Sequence, residues 1–448
     1  MKLIGAIILS AGDGGRMKSA RPLVLHEVCG AAMCDWVLRA VKDEIDCPPT
    51  MVIGGGAEEV MAHFGSAANY IVQDVRLGTG NALLCSMRLF ENKKGYVIVV
   101  AGNMPLLEQK TVRSLVSSIG TASAGILTAN ANEPYDFLRV IRDDDGRVMR
   151  VIEPDGTDEG LGYSNEITSN AYCFDVQKLL PILNTLNGAN PTFSVSDCIN
   201  EMYKAGEMIE SVHACATDCI SINDRIRLAD CYRIMKRRLS MQHMQNGVTV
   251  IDPDAAYIGA DVKIGMDCII YPDVVLDGIT EIGEGTVIYS GCRLKDTKVG
   301  KNCYLQSVVA NDAVIGDNVP IGPFVNLRPK SVIGDGVKIG DFVEVKNSNV
   351  GRGTKLPHLS YIGDSDIGEK VNIGCGTVFV NYDGIKKSRS TVKDDVFIGC
   401  NANIVAPVTI NERAFIAAGS TITDDVPPDA LAIARERQTN KPNYIRKR

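Results

Sequence analysis

Aliphatic residues followed by glycine return at spacings near six through the second half of the chain: Ile258-Gly259 and Ile264-Gly265, Ile315-Gly316 and Ile321-Gly322, Ile333-Gly334 and Ile339-Gly340, Ile367-Gly368 and Ile373-Gly374. A six-residue period headed by an aliphatic side chain predicts the coils of a parallel β-helix, one short strand and a turn per repeat. The aliphatic side chain points into the coil, and the glycine allows the tight corner. The repeats run from about Val248 to Val426, where Pro427-Pro428 ends them. The first half has a different pattern. Leu3 to Leu9 reads as a buried strand followed by a glycine-rich loop at Gly12 to Gly15, and Tyr96 to Ala101 is a second, β-branched strand ending in Gly102-Asn103-Met104-Pro105. Strand, loop and helix in succession predict a parallel sheet with helices on both faces, and ligands in such folds sit where strands end. Asp224 to about Gln245 carries apolar residues at helical spacing without glycine or proline. The expected organisation is a first domain over residues 1–223, a helical linker over 224–247, the coil over 248–430 and a polar tail over 431–448.

Composition narrows the function classes. At 448 residues the chain is too long for one ordinary domain, and 45% hydrophobic with 23% charged residues is the balance of a globular protein. A net charge of −7 gives no reason to expect nucleic acid as a partner. The basic run Arg446, Lys447 and Arg448 reads as a solvated tail. Fourteen cysteines include no C-x-x-C pair, and Cys215 and Cys219 have no histidine nearby, so a zinc site is not expected. Scattered thiols fit a reducing cytoplasm. The apolar run at Leu3 to Leu9 is too short for a signal peptide or a membrane span. A cytoplasmic protein with no membrane partner is the expectation.

One histidine, His358, stands in the coil region, after His243. Around it, Phe324 to Tyr382 departs from pure repeat and carries Arg328, Glu344, Lys346, Tyr361, Asn372, Asn381 and Tyr382. Asparagine at coil corners often satisfies backbone groups and a lone lysine is a solvated face, but a cluster of this kind with a histidine points to a site. Hexapeptide coils associate side by side, which makes a pocket between neighbouring chains a natural ligand site.

The chain resembles the bifunctional N-acetylglucosamine-1-phosphate uridylyltransferase and glucosamine-1-phosphate acetyltransferase family of bacteria over nearly its whole length. In the second half the resemblance rests on N-L-R-P at Asn326 to Pro329, F-V-E-V-K at Phe342 to Lys346, H-L-S-Y-I-G-D at His358 to Asp364, N-I-G-C-G-T at Asn372 to Thr377, N-Y-D-G at Asn381 to Gly384 and L-A-I-A-R at Leu431 to Arg435. It implies an α/β, Rossmann-like nucleotidyltransferase domain followed by a left-handed parallel β-helix, assembled as a homotrimer. It also implies that glucosamine-1-phosphate and acetyl-CoA are the substrates of the coil. Arg328 and Lys346 answer the sugar phosphate's charge and Tyr361 adds a hydroxyl. His358 takes a proton from the sugar amine, histidine being the side chain that exchanges protons near neutral pH, and Glu344 orients it. Asn372 matches the family's sugar-binding asparagine. Asn381, Tyr382, Lys387, Cys400, Ala418 and Arg435 match its acetyl-CoA contacts. Cys400 stands where the family has serine and Cys375 where it has alanine.

In the first half L-S-A-G-D-G-G-R-M at Leu9 to Met17 and R-P-L-V-L-H at Arg21 to His26 resemble the family's nucleotide-binding hallmark. The resemblance implies nucleotide contacts from Leu9, Ala11, Gly12, Gly14, Arg16, Gln73, Gly78, Thr79 and Glu153, with Asn223 as a metal ligand. UTP or UDP-N-acetylglucosamine are then the partners of this half. Several positions depart from the pattern. Leu23 replaces a phosphate-meeting lysine, Asn103 replaces a magnesium-binding aspartate, Asp136-Phe137-Leu138-Arg139 replaces G-Y-G-R, and Thr168 and Asn170 replace an asparagine and a glycine. An amide is a poor ligand for a hard cation, so uridylyl transfer is expected to be lost and Mg2+ to be needed only if that activity is retained. Arg21 and Asp74 are the groups near enough in sequence to compensate. Two other readings compete: a fully bifunctional enzyme with altered metal ligation, and a non-catalytic regulatory subunit that binds a nucleotide sugar. A serine acetyltransferase has no use for Arg328, Lys346 and Tyr361 together.

Overall fold

The computed structural model describes residues 2–132, 137–153 and 164–445. Two compact units divide between Met235 and Lys236, inside a single helix, Arg225–Gln245. Among the described residues no helix is long and apolar enough to cross a membrane.

The first unit is built on a mixed sheet. Its strands run in the order Ile209–His213, Ala124–Asn130, Glu166–Asp175, Tyr96–Ala101, Leu3–Ser10, Thr50–Ile53 and Asn69–Val72. Glu166–Asp175 is antiparallel to both neighbours, while Leu3–Ser10 pairs in parallel with Tyr96–Ala101 and Thr50–Ile53. Alternation along the central strands feeds two cores. Ile7, Val97 and Val99 enter one and Ala6, Ile8, Ile98 and Val100 the other, so each face of the sheet is covered and the strands read as continuous apolar runs. The carboxyl ends of Leu3–Ser10 and Tyr96–Ala101 lie side by side, tied by the Gly102 N–H donating to the Leu9 carbonyl at 2.8 Å.

The second unit is a left-handed parallel β-helix whose strands, mostly two or three residues long, stack into a 19-stranded and a 9-stranded sheet. One aliphatic side chain per strand fills the axis: Ile258, Ile270, Leu276, Ile288, Leu305, Ile321, Ile339, Leu356, Ile373, Ile398 and Ile416 are all buried in one continuous core. Glycine marks corners where the next coil crosses closely. A Cβ at Gly340 would lie 1.8 Å from the Pro357 carbonyl oxygen, and one at Gly351 would lie 2.5 Å from that of Gly368. The ladder continues past Pro427-Pro428, because Leu431–Ala432 pairs with Phe415–Ile416. The sequence reading closed the coil slightly early because the last strand follows an interrupting proline pair.

Candidate functional sites

In the coil, Lys338–Lys346 and Lys355–Gly363 are two nine-residue strands that each turn a corner, so one strand supplies residues to two faces. Register places Asp341 beside His358, Glu344 beside Tyr361, and Asn326 beside Glu344. Asn372 stacks on Lys355 on one face, Tyr361 lies on the next, and His358 occupies the corner between them. That corner continues as a column. Gly376 N–H donates to the Leu359 carbonyl at 2.6 Å, Asn401 N–H to that of Cys375 at 2.7 Å, and Gly419 N–H to that of Cys400 at 2.8 Å. Ala418 packs beneath Gly399, and Arg435 crosses next to Gly419. His358, Cys375, Cys400, Ala418 and Arg435 therefore fall on one edge of the coil.

One face along, a polar cluster surrounds Asp364. Asn347 Nδ2 donates to its carboxylate at 2.5 Å, Asn381 Nδ2 donates to the other oxygen, and Lys346 Nζ stands 3.7 Å away. Burial pushes the Asp364 carboxyl up, but the two amide donors and the charges of Lys346 and Lys387 outweigh it and hold it below the usual carboxylate range. Lys387 sits on the loop between Val378–Val380 and Ser390–Val392, where Tyr382 and Lys387 form an antiparallel bridge. The adjacent Lys346 holds its ammonium below its ordinary value. Tyr361 accepts a long contact, 3.5 Å, from Asn381 Nδ2.

One expected pairing is absent within the chain. Glu344 does not reach His358, because Arg328 Nη1 donates to its carboxylate at 2.9 Å. The carboxylate nearest the imidazole is Asp341, 3.8 Å from Nδ1, with both side chains about half exposed. Three residues along a strand that turns a corner put Glu344 on a different face from the histidine. Sequence reasoning missed Asp341 for that reason.

In the first unit a cavity of about 400 Å³ opens at the strand ends, lined among others by Leu9, Ala11, Gly12, Leu23, Gln73, Gly78, Thr79, Asn103, Asn170 and Asn223. Gln73 is buried and oriented, its Nε2 donating to Asn81 Oδ1 at 2.9 Å and to the Gly78 carbonyl at 3.4 Å. Gly78 has φ +91°, and a Cβ on it would meet the Phe193 carbonyl oxygen at 2.4 Å, so only glycine fits. Thr79 Oγ1 accepts from Val195 N–H at 3.1 Å. Gly14 is in the left-handed region and packs on Leu23, which is buried beneath the glycine loop as an apolar filler.

Other expected residues fall outside this lining. Arg16 is exposed, and Glu153 accepts from Ser196 Oγ at 3.0 Å. Arg21, expected to compensate for Leu23, is held by Glu27 at 2.9 Å, and Asp74 is exposed away from the cavity. Thr168 turns inward and donates to the Leu127 carbonyl at 2.6 Å, and Arg139 donates to that of Ser164 at 2.8 Å. Phe137 packs beneath a small buried cluster, and Asp136 lies outside the described residues, as do Arg446, Lys447 and Arg448. The lining residues missed from sequence include Asp13, Arg76 and Ser221.

The donor set does not fit magnesium. Asn103 Nδ2 donates to Asn223 Oδ1 at 3.0 Å and to the Ile222 carbonyl at 2.8 Å, so the amide's NH2 group fills the space facing the Asn223 oxygen. Among the described residues no group of three histidine, cysteine or acidic side chains could hold a metal ion.

Comparison with known proteins gives the same two-part division. Residues 6–206 match the MobA-like NTP transferase domain family, and residues 312–347 and 389–424 match the bacterial transferase hexapeptide family. "Bifunctional protein GlmU" of Geobacillus thermodenitrificans is 44% identical over 446 residues, spanning 98% of this chain and 97% of its own. The protein of the same name from Geobacillus sp. strain WCH70 is 43% identical over 445 residues, with the same coverage. That of Clostridium kluyveri is 41% identical over 449 residues, covering 99% of this chain and 98% of its own. These relatives favour a bifunctional chain over the expected loss of uridylyl transfer. Similarity at this level across both units establishes that the chain belongs to the family of the bifunctional protein GlmU.

Proposed function

We propose that the coil unit transfers the acetyl group of acetyl-CoA to the amine of glucosamine-1-phosphate. The observation that carries this reading is the shared edge of His358, Cys400, Ala418 and Arg435, one face away from the cation cluster of Lys346 and Lys387. The cations receive the sugar phosphate while the edge receives the extended coenzyme. The His358 imidazole takes a proton from the sugar's ammonium. The freed amine forms a C–N bond to the thioester carbonyl, the C–S bond breaks, the departing thiolate takes the second proton that the nitrogen sheds as the amide forms, and the imidazole returns the first to solvent. Side-by-side packing of coils into a trimer would complete the pocket, and Glu344, half-buried beside Arg328, is then available to a neighbouring chain's substrate. Thiol release from acetyl-CoA in the presence of glucosamine-1-phosphate tests the reading. Release that depends on the sugar phosphate and disappears in His358→Ala supports it, and release unchanged in that variant overturns it.

For the first unit we take the bifunctional reading, uridylyl transfer from UTP to N-acetylglucosamine-1-phosphate, because full-length relatives carry that name and the cavity keeps Gln73, Gly78 and Thr79 in place. One observation favours a second reading, in which nucleotide binds without turnover: Leu23 offers no charge and Asn103 is spent on Asn223. Pyrophosphate release from UTP separates the two. Release by the native chain supports bifunctionality. No release from the native chain, with release in Leu23→Lys plus Asn103→Asp, establishes the second.

A further inference from the structure

The glycine-rich loop at the mouth of the first unit's cavity holds an anion of its own. Asp13 Oδ1 accepts from the Gly15 N–H at 3.2 Å, and Asp13 Oδ2 pairs with Arg76 Nη1 at 2.9 Å. Arg76 comes from the segment joining Gln73 to Gly78, so the pair spans from the loop that approaches phosphates to the segment that reads the base. Its guanidinium lies over Gly55, where any Cβ would collide with it. Among the described residues lining the cavity, Asp13 and Arg76 are the charged ones. Leu23 brings no charge, Arg21 is occupied by Glu27, and Arg16 lies outside the lining.

We infer that Arg76 is the phosphate-binding cation of this pocket and Asp13 its resident counter-ion. A nucleotide's phosphate enters by displacing the Asp13 carboxylate from Arg76 and from the Gly15 amide. The inference rests on the reading that the cavity takes a uridine nucleotide. Both side chains are substantially exposed, 44% and 68%, so the pair itself contributes little and is easily opened. A polyphosphate brings more charge than one carboxylate and matches the guanidinium's fork with two oxygens. Arg76 thereby supplies charge that a lysine at position 23 would give, without a metal.

Titration calorimetry on the full chain with UTP and with uridine, both in EDTA, tests this on the native protein and on Arg76→Gln, Arg76→Lys and Asp13→Asn. Arg76→Gln is expected to weaken UTP binding about tenfold while leaving uridine binding unchanged. Arg76→Lys should fall between that variant and the native chain, and Asp13→Asn should bind UTP more tightly than the native chain. Equal UTP affinity in native and Arg76→Gln proteins, with uridine still bound, overturns the assignment and leaves the nucleotide reading standing. Loss of both ligands in Arg76→Gln also overturns it, since Arg76 would then act on the fold rather than on phosphate. If the native chain binds neither UTP nor uridine, the nucleotide reading fails and the assignment with it.

Discussion

Asn103→Asp asks whether the amide pair has replaced a metal site. Asn103 is buried, and its Nδ2 makes two hydrogen bonds, to the Ile222 carbonyl at 2.8 Å and to Asn223 Oδ1 at 3.0 Å. A carboxylate of the same shape presents an acceptor to two acceptors. Both bonds are lost, leaving the carbonyl of buried Ile222 and the half-buried Asn223 Oδ1 unpaired at up to about 3 kcal/mol together. The Ile222 N–H still donates to the Asn103 carbonyl at 2.9 Å, so the local backbone survives and the loss is confined to the side chain. A total near 3 kcal/mol, in a unit of this size, lowers Tm by about 6–12 °C. Mg2+ between the new carboxylate and Asn223 Oδ1 should reverse this, returning about 2.7 kcal/mol at a hundredfold excess over Kd. Differential scanning calorimetry of native and variant chains, in EDTA and in Mg2+, reads both effects on the first unit's transition. A variant that melts with the native chain in EDTA refutes the reasoning, because the amide would then not be holding those oxygens. So does a native chain that gains as much from Mg2+ as the variant.

His358→Ala should lower kcat for acetyl transfer by about 10²–10⁴ with little change in the KM for sugar phosphate, measured by thiol release. Gly78→Ala forces a Cβ to within 2.4 Å of the Phe193 carbonyl oxygen at φ +91° and should cost about 1–3 kcal/mol in chemical denaturation. Asp364 has a carboxyl held below its ordinary range, so its stabilising effect is full above the unfolded carboxylate value of about 3.9 and is lost as pH falls through the folded value. The native chain should therefore outlast Asp364→Asn in urea at pH 6, and the gap should narrow as pH falls below the ordinary carboxylate value of about 3.9; a gap of constant size across that range contradicts the assignment.

The coil was legible in the sequence because its physics is periodic. One inward aliphatic and one close corner per six residues leave few alternatives, and Ile339, Leu356, Ile373 and Ile398 stack as that spacing requires. Leu9 and Gly12 in the cavity were legible for a different reason, since a loop after a buried strand must lie at the strand's end, whereas Gln73 and Gly78 were indicated only by the family resemblance. What the sequence hid depends on geometry between elements. Glu344 and Asp341 are three positions apart, and only the corner within Lys338–Lys346 decides which of them faces His358. Arg21 is closer in sequence to Leu23 than Arg76 is, yet Glu27 draws it away while Arg76 crosses to Asp13. Proximity along the chain was the wrong measure for charges that meet across a pocket.

The two sites differ in how far each has satisfied its own electrostatics. Around the first cavity the groups are paired: Leu23 packs under Gly14, Asn103 bonds Asn223 and Ile222, and Arg76 bonds Asp13. Such a site is comfortable empty, and a charged ligand must compete with contacts already made. In the coil, Lys346 and Lys387 stand close enough that one ammonium depresses the other, and Asp364 offsets them in part. Two adjacent cations with one carboxylate between them leave a net positive charge that an anion can meet. A phosphate-bearing ligand relieves repulsion in the coil, whereas in the first unit it must first break the Asp13–Arg76 pair.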